Sequence, residues 1–168
     1  MKKIGIYYGS TTGTTEGIAK ELGKKLGVDS SSIKEISLFK PEEFLSYDLL
    51  LLGTSTWGDG EMQDDWYEAI EEIKQLDLSN HKIALFGCGD ASSYSDTFCD
   101  AVGTLYQELS NSGCTFVGAV STDGYTFDDS QALVGDSLVG LLLDEDNESE
   151  LTEARIDAWV KNLQATFA

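Results

Sequence analysis

Short apolar runs alternate with helically spaced apolar residues from one end of the 168-residue chain to the other. Ile4, Ile6, Tyr7 and Tyr8 predict a strand, and Ile18, Leu22 and Leu26 then share one face of a helix. A second strand is predicted over residues 33–38. Leu49, Leu50, Leu51 and Leu52 form a run apolar on both sides, the mark of a strand covered on both faces of a parallel sheet. Trp66, Ile70 and Ile73 have the spacing of a helix packed on that sheet, which makes Trp66 core material. Residues 82–87 predict a fourth strand, and Phe98, Val102, Leu105 and Leu109 the helix after it. A strand over residues 115–120, a polar stretch over 121–136 and a second apolar run over 137–143 follow. Ile156, Trp159, Val160 and Leu163 mark a closing helix. The alternation implies one α/β domain over residues 1–168, with a mainly parallel sheet, right-handed crossovers and helices on both faces. In such sheets ligands sit beyond the carboxyl ends of the strands.

The net charge is −19, and its distribution sharpens the picture. Seven of the eleven basic residues lie within the first forty positions, and none lies in residues 41–73 or 83–154. A chain so acidic through its middle is unsuited to neutralising a nucleic-acid backbone. It suits a protein partner with a basic patch, although the same charge also serves solubility. Cys88, Cys99 and Cys114 form no CxxC pair and are odd in number, as expected of a reducing cytoplasm rather than a disulfide framework. No run of about 18 apolar residues predicts a membrane span, and the amino terminus lacks the apolar core of a signal peptide. His81, the one histidine, has no ligand cluster around it in the sequence, so no metal site is expected.

Three strand-end loops carry candidate chemistry. The first reads Gly9-Ser10-Thr11-Thr12-Gly13-Thr14-Thr15-Glu16, with a helix starting inside it. Hydroxyls, glycines and the free N–H groups of a helix N-terminus favour a phosphate, or the run is simply a hydroxyl-rich cap. It is not a Walker A loop, because Thr14 follows Gly13 where lysine is needed. The second, Thr54-Ser55-Thr56-Trp57-Gly58-Asp59-Gly60-Glu61, sets a Trp among turn residues, suited to stacking on a planar ring or to packing. The third, Gly87-Cys88-Gly89-Asp90-Ala91-Ser92-Ser93-Tyr94, adds a second aromatic, which is either a ring contact or a surface tyrosine.

Together these loops, on one edge of one sheet, resemble the flavodoxin family over essentially the whole chain. The resemblance implies a three-layer sandwich around a five-stranded parallel sheet of order 2-1-3-4-5. The interruption of the fifth strand by residues 121–136, with Asp123-Gly124-Tyr125, is similar to the long-chain branch. It implies non-covalently bound FMN and one-electron transfer between its semiquinone and hydroquinone, by a monomeric carrier rather than an enzyme. By the same resemblance Ser10, Thr11, Thr12, Gly13, Thr14 and Thr15 cradle the phosphate. Thr54, Ser55, Thr56 and Trp57 line one side of the flavin. The Gly58-Asp59 peptide, with Gly60 completing its turn, faces flavin N5. Gly89 and Asp90 approach the pyrimidine edge, Cys88 lies near the flavin as a small buried residue, Tyr94 stacks on the ring, and Asp96 and Phe98 belong to the same cofactor site. Asp146 reaches the ribityl hydroxyls. Gly58-Asp59 itself resembles the short-chain type, since many long-chain members carry a bulkier first residue.

Two other proteins of this architecture fit less well. A receiver domain needs a phospho-accepting Asp at the end of the third strand, where Gly53-Thr54-Ser55 stand. An FMN-dependent NAD(P)H:quinone oxidoreductase needs cations for a pyridine nucleotide, and the acidic middle of the chain offers none. A phosphate held by neutral donors in so acidic a protein implies a specific salt response. FMN affinity is expected to rise with added salt, because screening weakens the repulsion between like charges. Titrations at increasing ionic strength check this, and tighter binding at low salt would contradict it.

Overall fold

The computed structural model of the protein describes residues 3–57 and 60–167. Its strands are β1 (Ile4–Gly9), β2 (Ile33–Glu35), β3 (Leu49–Trp57), β4 (Glu61–Met62), β5 (Lys82–Cys88), β6 (Thr115–Val117), β7 (Val120–Ser121), β8 (Leu133–Val134), β9 (Ser137–Leu138) and β10 (Gly140–Leu143). The helices are α1 (Thr14–Leu26), α2 (Pro41–Phe44), α3 (Asp65–Ile73), α4 (Asp100–Leu109) and α5 (Ser149–Phe167). The main sheet runs β10-β5-β3-β1-β2 with parallel pairing throughout, and β6 also pairs parallel with β5. In strand-crossover terms this is the expected order 2-1-3-4-5. Its fifth strand is split into β6 and β10.

Alternate residues along each strand point to opposite faces, and the core divides accordingly. Tyr7, Leu50, Leu52, Ile83, Leu85 and Leu142 pack with Trp66, Ile70 and Leu105 from α3 and α4 on one face. Ile6, Leu49, Leu51, Phe86, Leu141 and Leu143 pack with Ile18, Leu22, Ile156 and Trp159 from α1 and α5 on the other. Both faces of the central strands are therefore dry, and polar function is left to the strand ends. Each fully buried leucine of β3 contributes roughly 1.5–3 kcal/mol through removal of its surface from water.

Three local differences from the sequence reading have physical causes. The second strand stops at Glu35, because Ile36–Leu38 curl into a 3-10 turn that buries Ile36 and leaves Leu38 exposed. The third strand continues through Thr54 to Trp57, since residues 61–62 fold back as an antiparallel partner for Thr56 and Trp57. Phe98 precedes α4 rather than lying on it. Cys99 takes a left-handed conformation (φ 52°), unique among the described non-glycine residues, and starts the helix only at Asp100.

The 121–136 stretch, read from sequence as a polar insertion interrupting the fifth strand, contributes to a small antiparallel sheet of order β7-β9-β8. Tyr125 anchors it: its hydroxyl donates to the Leu142 carbonyl at 2.6 Å, and the Arg155 guanidinium lies 4.0 Å from its ring centroid. Arg155 also donates to the Gly124 carbonyl and pairs with Glu148. Trp159 of α5, only 2% exposed, donates its indole N–H to the Gly118 carbonyl at 2.7 Å. Trp159→Phe leaves that buried carbonyl unpaired and is expected to lower unfolding free energy by roughly 1–3 kcal/mol. Urea denaturation checks this, and an unchanged midpoint would show the bond to be dispensable.

Candidate functional site

Pairing register places Gly9 of β1 beside Thr54 of β3, Thr54 beside Gly87 of β5, and Gly87 beside Leu142 of β10. The strands thus reach the same edge level, and their loops converge on a cleft of about 280 Å³. Thr12 and Thr14 line one end, Ser55, Thr56 and Trp57 one side, and Cys88, Gly89, Asp90 and Tyr94 the other. Glu145 and Asp146 complete the wall.

At the threonine end, α1 starts from Gly13, which takes φ 93° and provides no side-chain cap for the helix. Its own N–H donates to Ser10 Oγ at 3.1 Å. An uncapped helix of 13 residues presents several N–H groups and the positive end of its dipole to one point. Thr15 lies buried behind the turn, with its hydroxyl against Cys88 Sγ. Thr11, Thr12, Gly13 and Thr14 are exposed. The donor set, free of cations, fits an anionic group held by amides and hydroxyls.

At the other end two large rings remain in water. Trp57 is 41% exposed and Tyr94 is 45% exposed, while Trp66 is fully buried and Trp159 nearly so. Trp57 is held by an indole N–H bond to Ser55 Oγ at 2.8 Å, so its ring is oriented although it is uncovered. Thr56 Oγ accepts the Ala101 N–H from the first turn of α4. Two exposed aromatic rings at the mouth of a cleft, that of Trp57 fixed by a hydrogen bond, suit a flat, apolar ring system.

Thr54 is fully buried: its hydroxyl donates to the Ser55 carbonyl and accepts the Gln63 N–H. Gly60, at φ 109°, has no room for a Cβ, because one would lie 2.8 Å from Asp100 Cβ. Gly58 and Asp59 lie outside the described residues. Asp96 is exposed and does not line the cleft. Phe98 does not reach it either: 1% exposed, it stacks on Phe127 at 5.3 Å and supports the insertion from below. Its place one residue before the left-handed Cys99 turns the ring inward.

Asp144, Glu145 and Asp146 divide sharply. Asp144 is fully buried and accepts the Ala91 and Asn147 N–H groups and the Asn147 side-chain amide. Asn147 also donates to Asp90 Oδ1 at 2.8 Å, tying the loop after β5 to the turn after β10. The Ser93 N–H and that Asn147 amide hold the Asp90 carboxyl below its ordinary pKa. Asp146 stays at the surface of the cleft. Partial burial, then the charges of Asp90, Asp144 and Glu145, push its pKa up. Burial pushes the Cys88 thiol up to about 12 and Cys99 well above the usual thiol range, so both are neutral and unreactive near pH 7.

The sequence reading missed Glu145, Asn147 and Gln63. Glu145 and Asn147 stand in the same acidic run as Asp146, where one-dimensional spacing gives no sign of which side chain turns inward. Gln63 had no signal beyond its place near the second loop.

Comparison with known proteins agrees with this geometry. The sequence model of the family described as Flavodoxin matches residues 6–159. A flavodoxin of Haemophilus influenzae is 41% identical over 164 residues, spanning 97% of this chain and 94% of that protein. A flavodoxin of Nostoc sp. is 42% identical over 166 residues, spanning 99% and 98%. The crystal structure of Fusobacterium nucleatum flavodoxin bound to flavin mononucleotide superposes with a TM-score of 0.90 at 28% identity, covering 99% of each chain. With a family match across nine-tenths of its length and relatives above 40% identity end to end, this chain belongs to the flavodoxin family.

Proposed function

We propose that the protein is an electron carrier, not an enzyme, and that it holds FMN without a covalent bond in the cleft at the strand ends. The observation that carries the reading is the pairing of an uncapped, hydroxyl-lined helix start with two exposed aromatic rings across one cleft. Bound there, FMN would supply one-electron oxidation and reduction. Ser10, Thr12 and Thr14 would hold the phosphate through hydroxyls, and Thr11, Gly13 and Thr15 would add backbone N–H groups. Trp57 and Tyr94 would cover the ring faces and exclude water, a contact worth roughly 0.5–1.5 kcal/mol per ring beyond the area buried. Ser55, Thr56, Gly89, Asp90 and Asp146 line the cleft between these ends, where Asp146 would face the sugar-alcohol chain.

The charges of this chain set the direction of the redox properties. Asp90, Glu145 and Asp146 line the cleft, and Glu61, Asp64, Asp65 and Asp96 are exposed in or just after the segments that carry Trp57 and Tyr94. These carboxylates oppose any added negative charge, which lowers the potential of the more reducing step. The same rim complements a redox protein with a basic patch and speeds its encounter. The free cysteines fit a cytoplasmic setting. Among the described residues no helix is long and apolar enough to cross a membrane.

The test is absorption spectroscopy of the FMN-loaded protein during stepwise anaerobic reduction, with flavin binding followed by quenching of flavin fluorescence. Two resolved one-electron steps, the second at low potential, are expected. Failure to retain FMN would overturn the reading. A single two-electron step with rapid NAD(P)H-to-quinone turnover would replace it with an oxidoreductase.

A further inference from the structure

One buried polar side chain close to the cleft does not line it. Gln63, the residue after β4, is only 4% exposed. One of its amide protons goes to Thr11 Oγ at 3.2 Å and the other to Asp65 Oδ2 at 3.1 Å. Its carbonyl oxygen accepts the Asp65 N–H at 3.0 Å, and its own N–H donates to Thr54 Oγ at 3.1 Å. Every polar group of the side chain is therefore engaged. The side-chain bonds join the turn after β1 to the first turn of α3, and the backbone N–H ties the same residue to the end of β3.

Room for this strut is made at Gly9. A Cβ there would lie 2.6 Å from Gln63 Oε1 and 2.6 Å from Trp66 Cδ1. A methionine would fill the same space without the desolvation cost of an amide, so packing alone does not call for glutamine. What the amide adds is a tie to Thr11, in a turn whose residues 11–14 are otherwise exposed. Among the described residues, the other side-chain bond recorded within that turn is the local one from the Gly13 N–H to Ser10 Oγ. Thr11 itself does not line the cleft. Its hydroxyl is the handle by which the turn is held from outside.

We propose that Gln63 is a positioning residue for the anion-binding turn, and that through Thr11 it sets the preference of the cleft for a phosphorylated over an unphosphorylated flavin. The inference rests on the FMN reading above. Backbone N–H groups bind an anion well only when the turn is already in its binding shape, because ordering it on binding subtracts from affinity. Loss of the strut therefore weakens the phosphate end and leaves the ring end, built on Trp57 and Tyr94, unaffected.

The experiment compares FMN with riboflavin, which has the same ring and chain but no phosphate, in fluorescence titrations of the apoprotein. Wild type must first bind FMN; if it does not, the FMN reading itself fails and the outcome is distinct from those below. Gln63→Met is expected to raise the Kd for FMN by roughly three- to tenfold, the equivalent of one net hydrogen bond. The Kd for riboflavin is expected to stay unchanged. Thr11→Ala removes the other partner from an exposed position and provides the same test should the methionine variant not fold. It is expected to show the same selective loss. A merely structural glutamine would lower the apoprotein's thermal midpoint and shift both affinities in parallel. Parallel losses, or an unchanged FMN Kd in a folded variant, overturn the proposal.

Discussion

The structure depends on a single constraint, the burial of β1, β3 and β5 on both faces. A strand covered by helices above and below has no surface left for polar chemistry, so polar groups collect where the pairing stops. Because the register aligns Gly9, Thr54, Gly87 and Leu142 across the sheet, that stopping point is shared by four strands. The loops that follow do not have to find one another. Hydrogen bonding in the core delivers them to the same place, and the cleft is the space they enclose.

That cleft sets two physical tendencies against each other. Its threonine end is built from neutral donors and a helix dipole, while the whole chain carries a net charge of −19. Local dipoles act over a few ångströms and are little screened when water is displaced, whereas the diffuse field of surface carboxylates is spread through solvent. An anion can therefore be held by short-range geometry against an unfavourable background, and the accuracy of that geometry matters more than in a site with a lysine. The side-chain ties around the rim fit this need. Asn147 links Asp90 to Asp144, and the Trp57 indole N–H is held by Ser55.

Much of this was legible in the sequence because apolar spacing is a strong signal. The leucines of β3, the helical spacing of Trp66 with Ile70, and that of Ile156 with Trp159 and Val160 all predicted elements that are present. The aromatic positions Trp57 and Tyr94 stood out because large rings among glycines and aspartates make poor core. What stayed hidden depends on conformation rather than composition. Phe98 has helical spacing with Val102 and Leu105, but the left-handed Cys99 breaks the period between them. Asp144 and Asp146 look alike in a run of acids, yet backbone N–H groups from two loops receive the former, while the latter lies exposed on the cleft wall. The strands of the 120–138 region are two residues each, too short for alternation to register.

The split fifth strand has a consequence beyond the site. An open parallel sheet has two free edges, and a long flat edge can template the strand of another molecule and start a fibre. Here one edge ends in β2, three residues long, with Lys34 on it paired to Glu43 at 2.6 Å. The other edge is broken by the insertion into β6 and β10, of three and four residues, with the small antiparallel sheet of β7, β9 and β8 intervening in the chain. Neither margin offers an incoming chain more than a few consecutive backbone partners, so the interruption also works as a built-in guard against edge-to-edge aggregation.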